Sequence, residues 1–341
     1  MNNKRLLSTL ICMWFVAFNG KSETPAQSPF AIAIHGGAGT INRASMSAEK
    51  EQLYRAKLEQ AVKAGHALLA QGASSMDAVI AAVQIMEQSE LFNAGKGAVY
   101  TYEGEHELDA SIMWGKDRQA GAVAGVKTIK SPIALARAVM EQSDHVMLSG
   151  KGAEDFADTL GLEKVENQYF DTPARFEQLQ DARKTLKLDK TAQADPLRLD
   201  YKFGTVGAVA VDKDGNLAAA TSTGGMTAKR WGRIGDSPVI GSGTFADNRS
   251  CAVSATGHGE YFIRYNVAAD ICARVAYQNI SAEEAANEVI HQVLKPAGGT
   301  GGVIVIDSKG NISQPFNTQG MYRASIDTAG QLEVGIYGTQ K

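Results

Sequence analysis

Several segments of this sequence carry small apolar residues at nearly every position, with little alternation between apolar and polar side chains. They are AIAIHGGAG (31–39), TVGAVAV (205–211), LAAATST (217–223) and CAVSATG (251–257). Strands of this composition are buried on both faces, so they predict sheets packed between other layers. The turn DKDGN, between the second and third segments, predicts an antiparallel hairpin. We therefore expect an α/β (α+β) sandwich with helices outside two sheets, and not a doubly wound dehydrogenase fold.

Helical patterns lie between these strands. Ser47 and Ser74 are predicted caps of two helices that run to about Leu69 and Glu87. Ser131, followed by proline, predicts a third helix, and Ser281 with an acidic residue three positions later predicts a capping box. Further strands are predicted at KGAVYTY, ELDASIMW and AGAVAGVKT, and a final hairpin at GGVIVIDSKGNISQPFN.

The N-terminus has the pattern of a targeting segment. Lys4 and Arg5 precede an apolar run from Leu6 to Phe18, which is too short to span a bilayer comfortably. Residues 1–22 are therefore predicted to be a secretory signal peptide, and the mature protein to be exported, either periplasmic or secreted. Cys251 and Cys272 then remain; one disulfide is permitted, but two unpaired buried thiols are the expectation.

Composition excludes some partners and sites. The chain has 34 basic and 37 acidic residues, a net charge of −3 and no basic stripe, which argues against nucleic acid as a partner. HGGAGT and GSGTFADN do not complete a dinucleotide or phosphate-binding motif. SAEK (47–50) matches the S-x-x-K of penicillin-recognising serine enzymes, but no K-T-G follows, and a helix cap explains its serine.

The boundary between Gly204 and Thr205 is abrupt. From about residue 163 to residue 202 the chain loses periodicity and becomes charged, which predicts a mobile linker that the core does not need. On pattern alone, Thr205 could be only the β-branched first residue of a strand. If the chain were cut before it, its α-amine could act as base for its own hydroxyl. The hairpin would bring Thr223 close to it.

Two later motifs contain candidate binding groups. Arg233 and Asp236 lie in the Gly-rich loop RWGRIGDSP; they are either a solvated surface pair or a pair that holds a zwitterion's carboxylate and ammonium. In SATGHGE the glycines expose backbone N–H groups suited to an oxyanion hole. His258, in the same motif, is expected to be a loop residue rather than the general base.

Taken together, these motifs resemble the plant-type asparaginases, also called isoaspartyl peptidases, of the N-terminal-nucleophile (Ntn) hydrolases. The resemblance rests on IAIHGGAG, LFNAGKGAVY, HELDASIM, AGAVAGV, GTVGAVAVDKDGNLAAATSTGGMT, GRIGDSP, TGHGE and PFNTQGMYRA, in that order. It implies a four-layer αββα sandwich that cleaves itself between Gly204 and Thr205. An α subunit (29–204, with 163–204 as mobile tail) and a β subunit (205–341) would then form one joint domain.

The resemblance also assigns roles. Thr205 would be the nucleophile, Thr223 would hold it, Thr256 and Gly257 would stabilise the oxyanion, and Asn93 would lie beside the reacting groups. Arg233, Asp236 and Gly259 would bind the substrate's α-carboxylate and α-amine. No catalytic cofactor is implied. A structural sodium ion would be held by the carbonyls of Met86, Glu87, Ser89, Phe92, Ala94 and Lys96.

The implied substrates are β-aspartyl dipeptides and L-asparagine, because both present a free α-amine and α-carboxylate next to a side-chain amide. The implied assembly is an αβ heterodimer that pairs as (αβ)2, with no membrane contact after signal removal. Two alternatives stay open. One is an aspartylglucosaminidase-like glycosylasparaginase, and the other is an exported amino-acid-binding protein that does not cleave.

Overall fold

The apolar segments form two stacked sheets in the computed structural model, which describes residues 29–188 and 204–338. The strands are β1 (Ala31–Gly39), β2 (Leu108–Trp114), β3 (Ala120–Val126), β4 (Met147–Ser149), β5 (Val206–Val211), β6 (Leu217–Thr223), β7 (Thr244–Ala246), β8 (Cys251–Gly257), β9 (Gly301–Asp307), β10 (Ile312–Ser313), β11 (Gly320–Ile326) and β12 (Leu332–Tyr337). Within the described residues, the large sheet has the order β12-β11-β1-β5-β6-β2-β3-β4 and the small sheet β10-β9-β8-β7. All neighbouring strands are antiparallel except β3 and β4.

Helices lie between the strands along the chain. They are α1 (Ala48–Ala70), α2 (Ser75–Glu87), α3 (Pro132–Gln142), α4 (Gly150–Thr159), α5 (Pro173–Leu188), α6 (Gly259–Arg264), α7 (Val267–Gln278), α8 (Ala282–Asn287) and, after a π-helical turn, α9 (Lys295–Ala297). Helices α1, α2 and α3 pack on the large sheet, and α7 and α8 on the small one. The predicted four-layer αββα arrangement is confirmed. No helix in the described residues is both long and apolar enough to cross a membrane.

Small side chains let the two sheets approach each other. Ala33, Val209 and Ala219 of the large sheet lie in one buried cluster with Ala252 and Ile304 of the small sheet. Each is fully shielded from solvent. The strands that carry the candidate site are therefore held in the centre of the molecule.

The predicted helix caps are confirmed at three of four positions. The hydroxyls of Ser47, Ser74 and Ser281 each accept a hydrogen bond from the backbone N–H three residues later. Ser131 precedes α3 but makes no such bond; its hydroxyl donates instead to the buried Glu87 carboxylate at 2.6 Å.

Two predictions of local structure are wrong. The structureless tail expected from residue 163 is ordered as far as Leu188, because α5 buries Leu179 and Ala182 against Tyr100 and its buried Arg175 donates to the Gly97 carbonyl at 2.8 Å. Residues 189–203 of that tail, like the predicted signal peptide, lie outside the described residues. The segment KGAVYTY is not a strand but begins as a 3₁₀ turn, and only Thr101 makes an isolated bridge.

The expectation of unpaired cysteines is also wrong. Cys251, at the start of β8, and Cys272, in α7, form a disulfide with Cα atoms 5.3 Å apart. This separation is within the usual range for a disulfide. Sequence spacing carried no information on it, because the pairing depends on how α7 crosses the sheet.

Candidate active site

The predicted nucleophile lies at the N-terminal end of β5. The β5–β6 ladder begins with Val206 opposite Ser222, which places Thr205 beside Thr223. The Thr205 hydroxyl donates to Thr223 Oγ1 at 3.1 Å, and both residues are almost completely buried. The predicted contact between the two threonines is confirmed, and the hairpin register produces it.

Asn93 holds the peptide bond that precedes the nucleophile. Its backbone N–H donates to the Gly204 carbonyl at 3.0 Å. Its side chain is fixed by two hydrogen bonds: Nδ2 donates to the Gly225 carbonyl at 2.7 Å, and Oδ1 accepts the Val99 N–H at 2.9 Å. A Cβ on Gly204 would lie only 2.8 Å from Asn93 Cβ. Glycine is therefore required for the Gly204 carbonyl to come this close.

A small cavity of about 10 Å³ opens beside Thr205, with room for about one water molecule. Its lining consists of Gly204, Thr205, Thr223, Gly225, Arg233, Gly235, Asp236, Ser237 and Gly257. The predicted nucleophile, the predicted zwitterion pair and one predicted oxyanion donor are thus brought together. Gly204 itself forms part of the cavity wall, next to the nucleophile.

Asp236 is a buried carboxylate, one oxygen of which makes no hydrogen bond within the part of the chain that the structure describes. Its side chain is 4% exposed, and its Oδ2 has no hydrogen-bond partner among the described residues. Burial raises its pKa to about 7, although the positive charge of Arg233 acts in the opposite direction. A buried carboxylate without a partner is unfavourable, so this site is suited to receive a cationic donor such as an ammonium group.

Arg233 is held in place by Glu260, a residue that the sequence analysis did not single out. Arg233 Nε and Nη2 donate to the two carboxylate oxygens of Glu260, each at 3.0 Å. Burial alone would raise the pKa of Glu260, but His258 and Arg233 hold it well below its usual range. His258 Nε2 lies 3.3 Å from Glu260, so this histidine contacts the clamp on Arg233. The sequence feature that could have identified Glu260 is its position directly after the TGHG motif.

Gly259 lies against both members of the zwitterion pair. A Cβ there would lie 2.9 Å from Arg233 Nη2 and 2.9 Å from Asp236 Oδ1. Gly257 lines the cavity, whereas Thr256 is fully buried beside it and accepts a hydrogen bond from the Ala38 N–H at 3.3 Å. The Gly257 backbone is thus at the cavity wall, with Thr256 one residue behind it.

Backbone carbonyls converge in the predicted sodium loop. A Cβ on Gly97 would lie 2.1 Å from the Phe92 carbonyl oxygen and 2.9 Å from that of Ser89, and one on Gly95 would lie 2.2 Å from that of Glu87. The Met86 and Ala94 carbonyls accept backbone N–H groups in the same loop. Neutral carbonyl oxygens are a ligand type suited to a hard cation.

Comparison with known proteins gives a consistent result. The sequence profile of the family described as Asparaginase matches residues 28–336. The isoaspartyl peptidase of Escherichia coli is 51% identical over 306 residues, covering 90% of this chain and 95% of that protein. The isoaspartyl peptidase/L-asparaginase of Xenopus laevis is 42% identical (90% and 94% covered), and that of Mus musculus 40% (89% and 90%).

Proposed function

The chain belongs to the asparaginase family, and from this membership we propose that it is an isoaspartyl peptidase and L-asparaginase that uses Thr205 as its nucleophile. It is a hydrolase of the Ntn type acting on small molecules. The matched relatives favour this function over glycosylasparaginase or amino-acid binding, since the three compared are named as isoaspartyl peptidases. The observation that carries the substrate assignment is the buried Asp236 oxygen without a partner, beside the clamped Arg233.

The proposed first reaction is self-cleavage. Thr205 Oγ adds to the Gly204 carbonyl carbon, the C–N bond breaks with the proton passing to nitrogen, and an ester replaces the peptide. Water then hydrolyses the ester to leave a carboxylate on Gly204 and a free α-amine on Thr205. The Asn93 N–H, which already donates to the Gly204 oxygen, would stabilise the negative charge that develops there.

Turnover would reuse the same threonine. The free α-amine, with a reference pKa of about 7.7–8.0, accepts the hydroxyl proton as Oγ attacks the substrate's side-chain amide. Gly257 N–H and the Thr256 hydroxyl would stabilise the oxyanion, and Thr223 keeps Oγ oriented. The amine or ammonia leaves with a proton, and water hydrolyses the β-aspartyl ester to regenerate Thr205.

Substrate selection would follow from Arg233 and Asp236. A β-aspartyl dipeptide or L-asparagine offers a free α-carboxylate to Arg233 and an α-ammonium to Asp236. In an α-aspartyl peptide the α-carboxyl group is an amide, so Arg233 would keep Glu260 but would gain no substrate carboxylate for its remaining N–H groups in a buried site. The enzyme should therefore discriminate strongly against α-peptides.

Side-by-side assays of β-Asp-Leu, α-Asp-Leu and L-asparagine test this proposal. We expect hydrolysis of the first and third, a denaturing gel with two fragments, and a smaller fragment whose sequence begins at Thr205. Thr205→Ala should remain one inactive chain. A single intact band that binds aspartate without turnover would favour the binding protein, and cleavage of only glycosylated asparagine would favour glycosylasparaginase.

Three further features belong to the same proposal. The loop from Met86 to Lys96 would bind a structural sodium ion, supported by its converging carbonyls; exchange of sodium for choline should then lower the melting temperature. Residues 1–22 would direct export, which agrees with a disulfide in the mature chain. The fragments would assemble as (αβ)2, to be measured by light scattering.

A further inference from the structure

His35, on β1, contacts the backbone of the nucleophile. It is fully buried, with Nδ1 3.0 Å from the Thr205 carbonyl oxygen and Nε2 2.9 Å from Ser254 Oγ. A carbonyl oxygen can only accept, so Nδ1 must carry the proton. Burial lowers the pKa of His35 to about 3, although its bond to the Thr205 carbonyl opposes this. The ring is therefore neutral, and Nε2 can only accept.

The direction of the following hydrogen bonds is then determined. Ser254 must donate its single proton to His35, so the 2.7 Å contact between Thr221 and Ser254 requires Thr221 to donate to Ser254 rather than to the Gly243 carbonyl, which lies farther away at 3.2 Å. Thr244 in turn donates to Thr221 at 2.6 Å, and Ser111 lies 2.8 Å from Thr244. All five side chains are fully buried, and they alternate between the two sheets. We call the four hydroxyl residues that follow His35, namely Ser254, Thr221, Thr244 and Ser111, the hydroxyl chain.

Gly207 leaves space for the hydrogen bond between Ser254 and His35. A Cβ at this position of β5 would lie 2.0 Å from Ser254 Oγ and 2.5 Å from His35 Nε2. Any larger residue would displace one of these two side chains. The strand that carries the nucleophile thus has a gap where the histidine and the serine meet.

We propose that His35 is a positioning residue for the nucleophile. The hydroxyl chain fixes the His35 tautomer in which Nδ1–H donates to the Thr205 carbonyl. This inference rests on the proposed function. After cleavage Thr205 is a chain end, one residue before the β5–β6 ladder. Its carbonyl bond to His35 then restrains the backbone, while Thr223 restrains the hydroxyl.

Two substitutions of His35 separate positioning from packing. Asparagine places an amide N–H close to the position of Nδ1, whereas leucine fills the volume without a donor. We expect kcat for β-Asp-Leu to fall about 10²-fold in His35→Leu, as for a reacting group misplaced by about 1 Å. His35→Asn should retain kcat within about tenfold, and KM should stay near wild type in both, since Arg233 and Asp236 are untouched. Equal kcat losses, or losses confined to KM, would overturn the proposal.

Ser254→Ala tests the hydroxyl chain with the imidazole still present. It removes the donor to Nε2, so both tautomers become accessible, and we expect kcat to fall about fivefold, as for one lost hydrogen bond. Ser75→Ala is the matched control, because Ser75 is equally buried but its hydroxyl has no partner in the described residues. Indistinguishable kcat values for the two variants would contradict the proposed role.

A spectroscopic measurement tests the geometry without any turnover. In protein labelled with ¹⁵N-histidine, the signal that is absent from His35→Asn should show a protonated Nδ1 and a bare Nε2, unchanged from pH 8 to pH 5. Ser254→Ala should show both tautomers. A protonated Nε2 in the wild type, or titration near the ordinary histidine pKa, would refute the inference even if the enzyme is active. Conversely, the expected spectrum in an inactive protein would count against the proposed function alone.

Discussion

Replacing Asp236 by asparagine should stabilise the free protein while abolishing substrate binding. The carboxylate is fully buried, and burial raises its pKa from 3.8 to about 7. Because the folded pKa lies above the unfolded one, the folded state binds more protons between these values, and stability falls as pH rises. At 1.36 kcal/mol per pKa unit, this raised pKa costs about 4 kcal/mol at pH 8, where the folded carboxyl is ionised, and about 2 kcal/mol at pH 5, where it must take up a proton on folding.

The assay is urea unfolding at pH 5 and pH 8 in a Thr205→Ala background, which keeps the chain covalently intact. Asp236→Asn should gain about 2 kcal/mol of unfolding free energy at pH 5 and up to about 4 kcal/mol at pH 8. Asp181→Asn, at a carboxylate whose side chain is 68% exposed, is the control and should change little.

Stabilisation by a bound ligand should be greater in the wild type than in Asp236→Asn, the opposite of the order expected for the free proteins. In the cleaved enzyme, with Thr205 present, L-aspartate should stabilise the wild type against unfolding but not Asp236→Asn, because the variant offers no charge to the ammonium group. The reasoning fails if the variant gains no stability over the control at pH 8. It also fails if the gain does not depend on pH.

Three further outcomes follow from contacts near the site. Glu260→Gln removes the charge that clamps Arg233, so KM for β-Asp-Leu should rise about tenfold with kcat nearly unchanged, as for the loss of one charge-assisted hydrogen bond; an unchanged KM would refute it. Replacing both Cys251 and Cys272 by serine should cost about 2–4 kcal/mol in urea unfolding and remove any effect of dithiothreitol. Burial raises the pKa of Glu87 to about 7, so wild-type stability should fall as pH rises from about 5 to 7, and Glu87→Gln should flatten that slope.

The motif order in the sequence was sufficient to predict the layered fold and the groups at the cavity. Strands without polar alternation require cover on both faces, which predicted a sandwich with helices outside two sheets, and the family resemblance specified its four αββα layers. The hairpin around DKDGN fixed the register that joins Thr205 to Thr223. Arg233 and Asp236 were candidates because no helix face explained their spacing in a Gly-rich loop, and the family resemblance assigned them the binding role.

Other features were decided by contacts between residues far apart in the chain. Helix α5 exists because its apolar side packs on Tyr100, whereas its charge density alone predicted a tail. The pairing of Cys251 with Cys272 depends on the crossing of a helix over a strand, which spacing does not encode.

The sequence by itself determined which residues could react and which strands had to be buried, since both depend on local pattern and side-chain chemistry. Only the tertiary structure decided which site groups are protonated, how their side chains are oriented, and which part of the charged segment is helical. The high pKa of Asp236, the Glu260 clamp and the tautomer of His35 all arise from burial and from partners on other strands and helices. Electrostatic and hydrogen-bond energies depend on distance and solvent exposure, and these are set when the two sheets pack together.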